Sequence, residues 1–386
     1  MLKVLLLDYV GNSAKWLKDF TLKDRFEVVG TITPESKKNN LAFLISDKWD
    51  YLLIFEKNMR DLFVKLTEMA EISKDRYIYA LDWYSWLNHP AAIFSMLNPQ
   101  GGQFAYRLLS LNMARQFNYF TTCTTYDDMN YIATSKDSYI IGDMYLKKET
   151  YAEDDMKFFY NLVKKFYDVD DSDGYFLDLG ANIGTTGIYF TKKIAPNLKL
   201  LAFEPDPENF KLLRANLILN DAEKNTLAEN YGLGAEEKEL TMYRDVENPG
   251  HNGMYSQSEG AASETVKVIT LDKYFADRKL SAADVKYIWI DTEGFEPQVL
   301  LGAQNILREN PAPIFMEFNP QFWQSSGFYD KMLELLTELY ASFVWSYESI
   351  QKGKIIVRPI EDLRKFQNSK ADFGVLKDIF LIRKNL

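Results

Sequence analysis

A glycine turn with a carboxylate in front of it occurs in the second half of the chain. Asp178, Gly180 and Gly184 give the spacing D-x-G-x-x-x-G directly after the apolar residues 175–177. Glycine lets a backbone approach a ligand closely, and a helix that follows offers free N–H groups. A pyrophosphate site of the dinucleotide-binding kind would instead have G-x-G-x-x-G. The acid before the first glycine favours a cationic or amino-bearing ligand over a pyrophosphate.

A second acidic residue ends the next apolar stretch, where residues 200–203 run into Glu204-Pro205-Asp206-Pro207. An acid at the end of the second strand of a Rossmann-type unit holds a ribose diol, because one carboxylate can accept hydrogen bonds from both hydroxyls. Asp206 is predicted to cap a helix that begins at Pro207. Alone, Glu204 would equally suit a surface turn, but its register with the glycine turn favours the ribose.

Two pairs of polar residues occur where later strands are predicted to end. Asp291 and Glu293 are two residues apart, as are Glu317 and Asn319, so on extended strands each pair would point to one side. One acid of the first pair could take the proton of an acceptor hydroxyl. Alternatively, Asp291, Glu293 and Glu317 could hold a divalent metal ion such as Mg²⁺. The structural alternatives are that Glu293 caps the next helix and that Glu317 pairs with a lysine.

The turn-rich segment 247–256 contains His251, one of only two histidines in the chain. As part of a loop over a ligand crevice, His251 could act as a general base; an exposed histidine without a catalytic role is the other interpretation. The single cysteine excludes an intrachain disulfide and a cysteine-based zinc site. Any metal site would therefore be built mainly from carboxylates, amides and water.

The elements around these residues alternate between strand and helix. We predict strands at 175–179, 199–204, 226–232, 287–291, 313–318 and 378–384, and helices at 184–194, 207–219, 296–308 and 328–340. An additional strand pair is predicted at 239–244 and 265–270. This order predicts an α/β fold with a doubly wound, mostly parallel sheet and a ligand crevice at the ends of its strands.

Three regions are predicted: residues 1–100, a smaller α/β domain; residues 101–170, a connecting region of helices and a hairpin; and residues 171–386, the domain with the glycine turn. Strands in the first two regions are expected at 3–7, 26–32, 51–55, 77–81 and, around a turn, 130–146; helices are expected at 57–71, 103–118 and 152–167. The first region lacks G-x-G-x-x-G, and scaffolding, acceptor recognition and dimerisation are all open as its role.

The composition limits the class of protein. With 386 residues, 47% of them hydrophobic, the chain can bury the cores of two domains. A formal net charge of -10 argues against broad binding to nucleic acid or to anionic membranes. No apolar run approaches the length of a membrane span, and the N-terminal run is too short for a signal peptide. We expect a soluble, cytoplasmic protein, with a homodimer left open.

Residues 175–319 resemble the FkbM-type S-adenosylmethionine-dependent methyltransferases. The matching motifs are Asp178-Leu-Gly-Ala-Asn-Ile-Gly184, Phe203-Glu-Pro-Asp-Pro207 with Asn209, Asn216 to Asn220, Gly232-Leu-Gly234, Thr270-Leu-Asp272, Ile290-Asp-Thr-Glu-Gly-Phe-Glu296 with Leu300 and Gly302-Ala303, and Glu317-Phe-Asn319. The resemblance implies a C-terminal Rossmann-type class I methyltransferase domain that binds S-adenosylmethionine (SAM).

The resemblance also implies a role for each candidate residue. It places the methionine end of SAM near Asp178, Gly180 and Asn182 with Gly184, the ribose on Glu204, and the adenine near Pro205, Asp206 and Leu233. Asp291, Glu293 and His251 are the candidates for catalysis. The predicted reaction is methyl transfer to a hydroxyl of a sugar, glycan or other small molecule. The alternatives are a NAD-dependent oxidoreductase or epimerase and a catalytically inactive Rossmann binding module.

Overall fold

The chain divides into two compact units. A computed structural model describes residues 2–8, 13–14, 26–33, 48–55, 77–79, 107, 110–111, 114, 120–135, 137, 140–243, 263–366 and 378–384. The first unit comprises Met1–Thr121 with Tyr145–Lys147, and the second comprises Thr122–Met144 and Lys148–Leu386. Within the described ranges, no helix is long and apolar enough to cross a membrane. The predicted helix at 57–71 and most of that at 103–118 lie outside the described residues.

The first unit contains a four-stranded parallel sheet with the strand order β2-β1-β3-β4. Its strands are β1 (Leu2–Leu7), β2 (Phe26–Ile32), β3 (Tyr51–Ile54) and β4 (Tyr77–Tyr79). Val4, Leu5 and Leu6 are consecutive and all buried, as in a strand covered on both faces. All four strands predicted for this region are confirmed.

The next segment leads into the large sheet. It contains β5 (Phe120–Thr124) and β6 (Asn130–Thr134), which form a two-stranded sheet, followed by α1 (Ile141–Lys147) and α2 (Glu153–Phe166). The prediction of strands around a turn at 130–146 is confirmed for β6 and wrong at 141–146, where α1 is a helix. Ile140, Ile141 and Met144 are buried, and their spacing places them on one face of that helix.

The remaining strands are β7 (Tyr175–Leu179), β8 (Lys199–Phe203), β9 (Thr226–Glu229), β10 (Gly232–Leu233), β11 (Lys238–Tyr243), β12 (Ser263–Ile269), β13 (Val285–Ile290), β14 (Ile314–Met316), β15 (Tyr340–Trp345), β16 (Val357–Pro359) and β17 (Ile379–Arg383). The helices are α3 (Thr185–Tyr189), α4 (Pro207–Leu219), α5 (Leu271–Arg278), α6 (Glu296–Gly302), α7 (Gln304–Glu309), α8 (Pro320–Ser325), α9 (Tyr329–Leu339) and α10 (Ser346–Lys352). A π-helical turn, Phe190–Ile194, continues α3.

Eight of these strands form one mostly parallel sheet with the order β16-β15-β17-β14-β13-β7-β8-β9. The five strands from β9 to β14 are parallel, whereas β17 is antiparallel to both of its neighbours. The chain runs outward from β7 to β9 and then continues on the other side of β7 with β13. That reversal confirms the doubly wound sheet, and it opens a crevice at the carboxyl ends of β7 and β13.

A smaller sheet has the strand order β10-β12-β11, and its three strands come between β9 and β13 in the sequence. The antiparallel pair β11 and β12 confirms the predicted additional strand pair. The predicted strand 226–232 is shorter than expected, because β9 ends at Glu229 and Gly232–Leu233 forms β10 in the smaller sheet.

Much of the aromatic content lies in the core rather than at a ligand site. Phe159 of α2 packs on the sheet with its ring 5.4 Å from that of Phe315 and 5.8 Å from that of Phe380. Phe176 and Phe190 are stacked at 4.3 Å. These rings are all fully buried. These contacts pack α2 and the helical turn after α3 on one face of the main sheet. The candidate site lies at the carboxyl edge of the same sheet.

Candidate active site

A cavity opens at the carboxyl ends of β7, β8 and β13, with about 900 Å³ of open space including its mouth. Its walls come from the loops after β7, β8, β9 and β13 together with residues from α3 and β11. Seven predicted site residues line it: Gly180, Asn182, Glu204, Pro205, Leu233, Asp291 and Glu293. The sequence-based expectation that these loops meet at one ligand crevice therefore agrees with the structure.

The loop after β7 is held against the loop after β13 by close backbone contact. Gly180 has φ +96°, and a Cβ built there would lie 1.9 Å from the carbonyl oxygen of Asp291. The N–H groups of Gly180 and Ala181 donate to the carbonyl of Phe203, at 3.0 and 2.9 Å. Glycine is required at this position both for its conformation and for the space.

Asp178 lies beneath the glycine turn. Its side chain is buried, and Oδ2 accepts a hydrogen bond from the N–H of Gly187 at 2.9 Å. Burial raises the pKa of Asp178 to about 7, the Gly187 hydrogen bond opposes that rise, and the nearby Asp291 adds to it. Asp178 is not among the side chains that line the cavity. In this structure it is hydrogen-bonded to the backbone of α3.

Glu204 joins the loops after β7 and β8. Its Oε2 accepts from the N–H of Asn182 at 2.7 Å, and its Oε1 accepts from the N–H of Asp206 at 2.8 Å. Burial raises the pKa of Glu204 to about 8, opposed chiefly by the hydrogen bond from Asp206. Each carboxylate oxygen can accept a second hydrogen bond. Glu204 can therefore fasten both loops and still accept hydrogen bonds from a ligand in the cavity.

Two predicted site residues, Asp206 and Gly184, are the N-cap residues of helices next to the cavity. Asp206 caps α4 as predicted, because its side chain accepts from the N–H groups of Glu208 and Asn209. Gly184 has φ +88° and leads into α3. Neither Asp206 nor Gly184 lines the cavity. The wall near Pro205 and Leu233 is completed by other residues, which sequence reasoning did not single out.

The turn after β13 differs from the expectation. The strand ends at Ile290, and Glu293 and Gly294 both have positive φ, 52° and 93°. Asp291 and Glu293 thus lie on a turn, and the argument that they share one side of an extended strand is wrong. Both nevertheless line the cavity.

Glu296 organises this turn, and its role was missed. It is fully buried and accepts hydrogen bonds from Thr292 N–H at 2.9 Å, Thr292 Oγ1 at 2.8 Å, Gly294 N–H at 3.3 Å and Trp323 Nε1 at 2.8 Å. The predicted structural alternative gave the capping role to Glu293. A carboxylate with several donors around it, three residues further along, fulfils that role instead.

The carboxyl groups of the β13 turn repel one another. The side chain of Asp291 is exposed to solvent within the cavity, but the walls of the cavity surround it. This enclosure and the charge of Glu296 raise the pKa of Asp291 above its ordinary value. Burial also raises the pKa of Glu293, and the charges of Asp291 and Glu296 raise it further. Proton uptake by one of these groups relieves the repulsion among all three. The turn can therefore accept a proton from a bound hydroxyl.

Glu317 follows β14, which ends at Met316. Its N–H donates to the carbonyl of Ile290 at 3.1 Å, whereas Asn319 caps α8 by accepting from Phe322 N–H at 3.2 Å. Both residues thus lie beyond the end of β14, and the expectation that they are part of the strand is wrong. Burial and four neighbouring acids hold the pKa of Glu317 well above its usual value.

Two further predictions concern a metal ion and the histidine. Within the part of the chain that the structure describes, no group of three or more His, Cys, Asp or Glu side chains is arranged to hold a metal ion. His251 lies outside the described residues, and its role as a general base stays a prediction.

Several lining residues gave no signal in the sequence. Tyr151 and Ile140 come from the segment before the glycine turn, and Tyr231 and Met242 come from the loop after β9 and from β11. Each is an ordinary apolar or aromatic residue outside any motif. Only the folding of distant segments onto the strand ends brings them to the cavity.

Comparison with known proteins finds similarity to methyltransferases. Residues 178–343 match the model of the methyltransferase FkbM domain. The chain is 27% identical to methyltransferase sdnD of Sordaria araneosa, over 43% of this chain and 73% of that protein. It is 31% identical to methyltransferase 1 of Beauveria bassiana, where the match covers 25% of this chain and 39% of that protein.

A solved FkbM methyltransferase from Methylobacillus flagellatus aligns over 87% of this chain and 84% of its own, with 13% identity and a TM-score of 0.34. The fold is defined by the strand order and the cavity: an α/β protein with its ligand site at the strand ends. Residues 178–343 are thus similar to the methyltransferase FkbM domain, and the chain is a SAM-dependent methyltransferase.

Proposed function

We propose that this enzyme transfers the methyl group of SAM to a hydroxyl group of a small molecule or carbohydrate. The observation that carries the proposal is a single cavity in which the glycine turn, Glu204 and the carboxyl groups of Asp291 and Glu293 meet. The reacting groups of a cofactor and an acceptor can be held side by side there.

The donor set of the cavity fits SAM. Its carboxyl groups suit a ligand with a positive sulfonium and an ammonium group. Glu204 is placed to accept hydrogen bonds from the ribose diol. Pro205, Tyr231 and Leu233 form an apolar wall suited to the adenine. We assign the methionine end to the backbone at Gly180 and Asn182, close to Asp178.

The residues of the β13 turn account for the chemistry. SAM supplies a methyl group on a positively charged sulfur. The acceptor oxygen forms a bond to the methyl carbon as the carbon–sulfur bond breaks, giving an ether and S-adenosylhomocysteine. Asp291 takes the hydroxyl proton, and Glu293, when protonated, donates a hydrogen bond to the acceptor. Because the sulfonium is already activated, alignment of the reactants supplies most of the rate enhancement.

Two alternatives are tested by the same assay. A NAD-dependent enzyme would need a pyrophosphate-binding turn, and Asp178 with the G-x-x-x-G spacing is unsuited to one. An inactive binding module would keep the cavity without turnover. Purified full-length protein should convert SAM to S-adenosylhomocysteine in the presence of hydroxyl compounds, and it should leave NAD unchanged. Persistent absence of turnover with SAM bound would support the inactive module.

The three candidate ligands Asp291, Glu293 and Glu317 do not fit a metal site, because among the described residues no three acidic side chains are arranged to hold a metal ion. The proposed reaction therefore contains no metal-assisted step, and we expect turnover to be unaffected by EDTA. Turnover that EDTA abolishes and Mg²⁺ restores would contradict this.

A further inference from the structure

Three acidic residues lie side by side at the carboxyl edge of the main sheet. The last residue of β14, Met316, is paired in register with both neighbouring strands, so the next positions at this edge are Asp291, Glu317 and Asp378. Neighbouring strands are about 4.8 Å apart, so these backbone positions extend over roughly 10 Å. We refer to these three residues as the acidic row. The row begins inside the cavity, because Asp291 lines it.

One oxygen of the row lacks a hydrogen-bond partner. Glu317 Oε2 is buried and accepts no hydrogen bond, although the residue as a whole keeps part of its surface exposed. A buried carboxylate oxygen without a donor is costly, and this cost favours a ligand that brings a donor or a positive charge. The charges of Asp291, Glu293 and Asp378 act on Glu317 and raise its pKa beyond the effect of burial. A cation at this position would interact with several carboxyl groups at once.

An aromatic ring adjoins these acids. Tyr151 lines the cavity and is 39% exposed. The charges of Asp291, Asp378 and Glu293 all act on its hydroxyl. Carboxylates combined with an accessible aromatic face are a setting that recognises organic ammonium groups. Among the described residues that line the cavity, none is lysine, arginine or histidine.

We propose that the methyl acceptor is an amino alcohol, such as an amino sugar, whose ammonium group binds to the acidic row and Tyr151. The proposal rests on the hydroxyl methylation proposed above and specifies the class of acceptor. A protonated amine has no lone pair and cannot attack the methyl group. Its hydroxyl oxygen therefore reacts, with loss of the hydroxyl proton to Asp291, while the ammonium group stays protonated. The same contact selects the substrate and directs the methyl group to oxygen.

The test is a panel of amino alcohols, including glucosamine, in which each amine is paired with its N-acetylated form. Full-length protein is incubated with SAM, and S-adenosylhomocysteine formation gives kcat/KM for each compound. We expect the amines to exceed their N-acetylated partners by about ten-fold or more, as for removal of a close charge pair. Glu317→Gln should remove most of this advantage. The matched control is Glu334→Gln, on the exposed side of α9, which should preserve it.

A second readout does not depend on turnover. Calorimetric titration of glucosamine and of N-acetylglucosamine into the protein saturated with S-adenosylhomocysteine compares their affinities. We expect glucosamine to bind about ten-fold more tightly or better, and this difference to shrink in Glu317→Gln. Melting curves of both variants establish that they are folded.

The possible outcomes separate this proposal from the one on which it rests. N-acetylated compounds methylated as well as the amines, or in their place, would overturn the amino-alcohol assignment and leave hydroxyl methylation standing. Failure to methylate any amine in the panel would also overturn it. An advantage that requires Mg²⁺ and disappears with EDTA would assign the acidic row to a metal ion instead. Failure of SAM to bind would remove the proposed function itself.

Discussion

At the scale of single residues, the proposal depends on Asp291, which is both enclosed and open to the cavity. Asp291→Asn keeps the shape of the side chain but cannot take a proton. We expect cofactor affinity to change little and kcat to fall by about 100-fold or more, the usual contribution of a positioned base. Calorimetry with S-adenosylhomocysteine and steady-state kinetics measure the two quantities. Unchanged turnover would reassign the base, with His251 as the next candidate.

The raised pKa of Asp291 predicts a pH dependence of turnover. A general base works only when ionised, so kcat should fall as the pH drops through the pKa of this group. Because enclosure and the charge of Glu296 raise that pKa, the fall should begin at a higher pH than for an ordinary aspartate, about 3.9. A pH–rate profile locates it. A profile that stays flat down to the ordinary value would show that Asp291 does not limit the reaction.

At the scale of the elements, the contact between the β7 and β13 loops sets the geometry of the site. Gly180→Ala introduces a Cβ that would lie 1.9 Å from Asp291 O. Gly327 has a positive φ as well, 73°, but nothing lies within 4 Å of a Cβ built there. Gly327→Ala should therefore cost only the backbone strain, about 1 kcal/mol. Gly180→Ala should cost at least about 2 kcal/mol more and abolish cofactor binding.

Chemical denaturation of the two variants provides this comparison. Equal losses of unfolding free energy would show that the close approach between the two loops does not constrain the protein. Retained cofactor affinity in Gly180→Ala would contradict the assignment of the methionine end to this turn.

The hairpin β5–β6 is attached to α4 by buried amides. Asn216 is fully buried; its Oδ1 accepts from Ile132 N–H at 2.7 Å, and its Nδ2 donates to Ile132 O at 3.2 Å and to Ile183 O at 2.8 Å. Asn216→Ala would leave these groups without partners, and we expect a loss of about 2–4 kcal/mol of unfolding free energy. The exposed Asn225→Ala is the control. A loss of similar size in both variants would contradict this role.

The sequence predicts the elements of the large sheet better than the contacts that shape the site. Apolar strands such as β7 and the capped start of α4 at Asp206 follow from local pattern, and the structure confirms them. Local pattern did not predict the β13 turn, and the expectation that Asp291 and Glu293 lie on an extended strand was wrong. What bends the chain there is Glu296, whose partners include Trp323, distant in the sequence. Periodicity contains no information about such contacts.

The predicted ends of some strands and helices were wrong for a related physical reason. The short strand β10 is defined by pairing with β12 rather than by its own residues, so the prediction extended β9 through it. The helix α1 was taken for a strand because isoleucine and tyrosine favour extended structure in isolation. The burial of Ile140, Ile141 and Met144 on one face fits a helix, but this burial is known only from the folded structure.

At the scale of the whole molecule, the buried acids make stability depend on pH. Burial raises the pKa values of Asp178 to about 7 and of Glu204 to about 8, from 3.8 and 4.5. At a pH between the ordinary and the raised pKa of each acid, the folded state binds more protons than the unfolded state. The free energy of unfolding therefore falls as the pH rises through this range. We expect the melting temperature of the ligand-free protein to be lower at pH 8.5 than at pH 6.

Glu204→Gln removes one of these titrations and should flatten the decline in melting temperature. In contrast, hydrogen bonding to Arg358 lowers the pKa of the partly buried Glu348 to about 2, so Glu348 affects stability only at more acidic pH. A melting temperature that rises between pH 6 and pH 8.5 would show that the buried acids are ionised at little cost.

The central claim is that the cavity at the ends of β7, β8 and β13 binds SAM. Calorimetric titration of the full-length protein with S-adenosylhomocysteine, beside NAD, tests it most directly. We predict one site per chain for S-adenosylhomocysteine, no binding of NAD, and loss of the site in Glu204→Ala while the melting curve of that variant remains cooperative. Binding of NAD in its place, or full affinity in Glu204→Ala, would contradict the account.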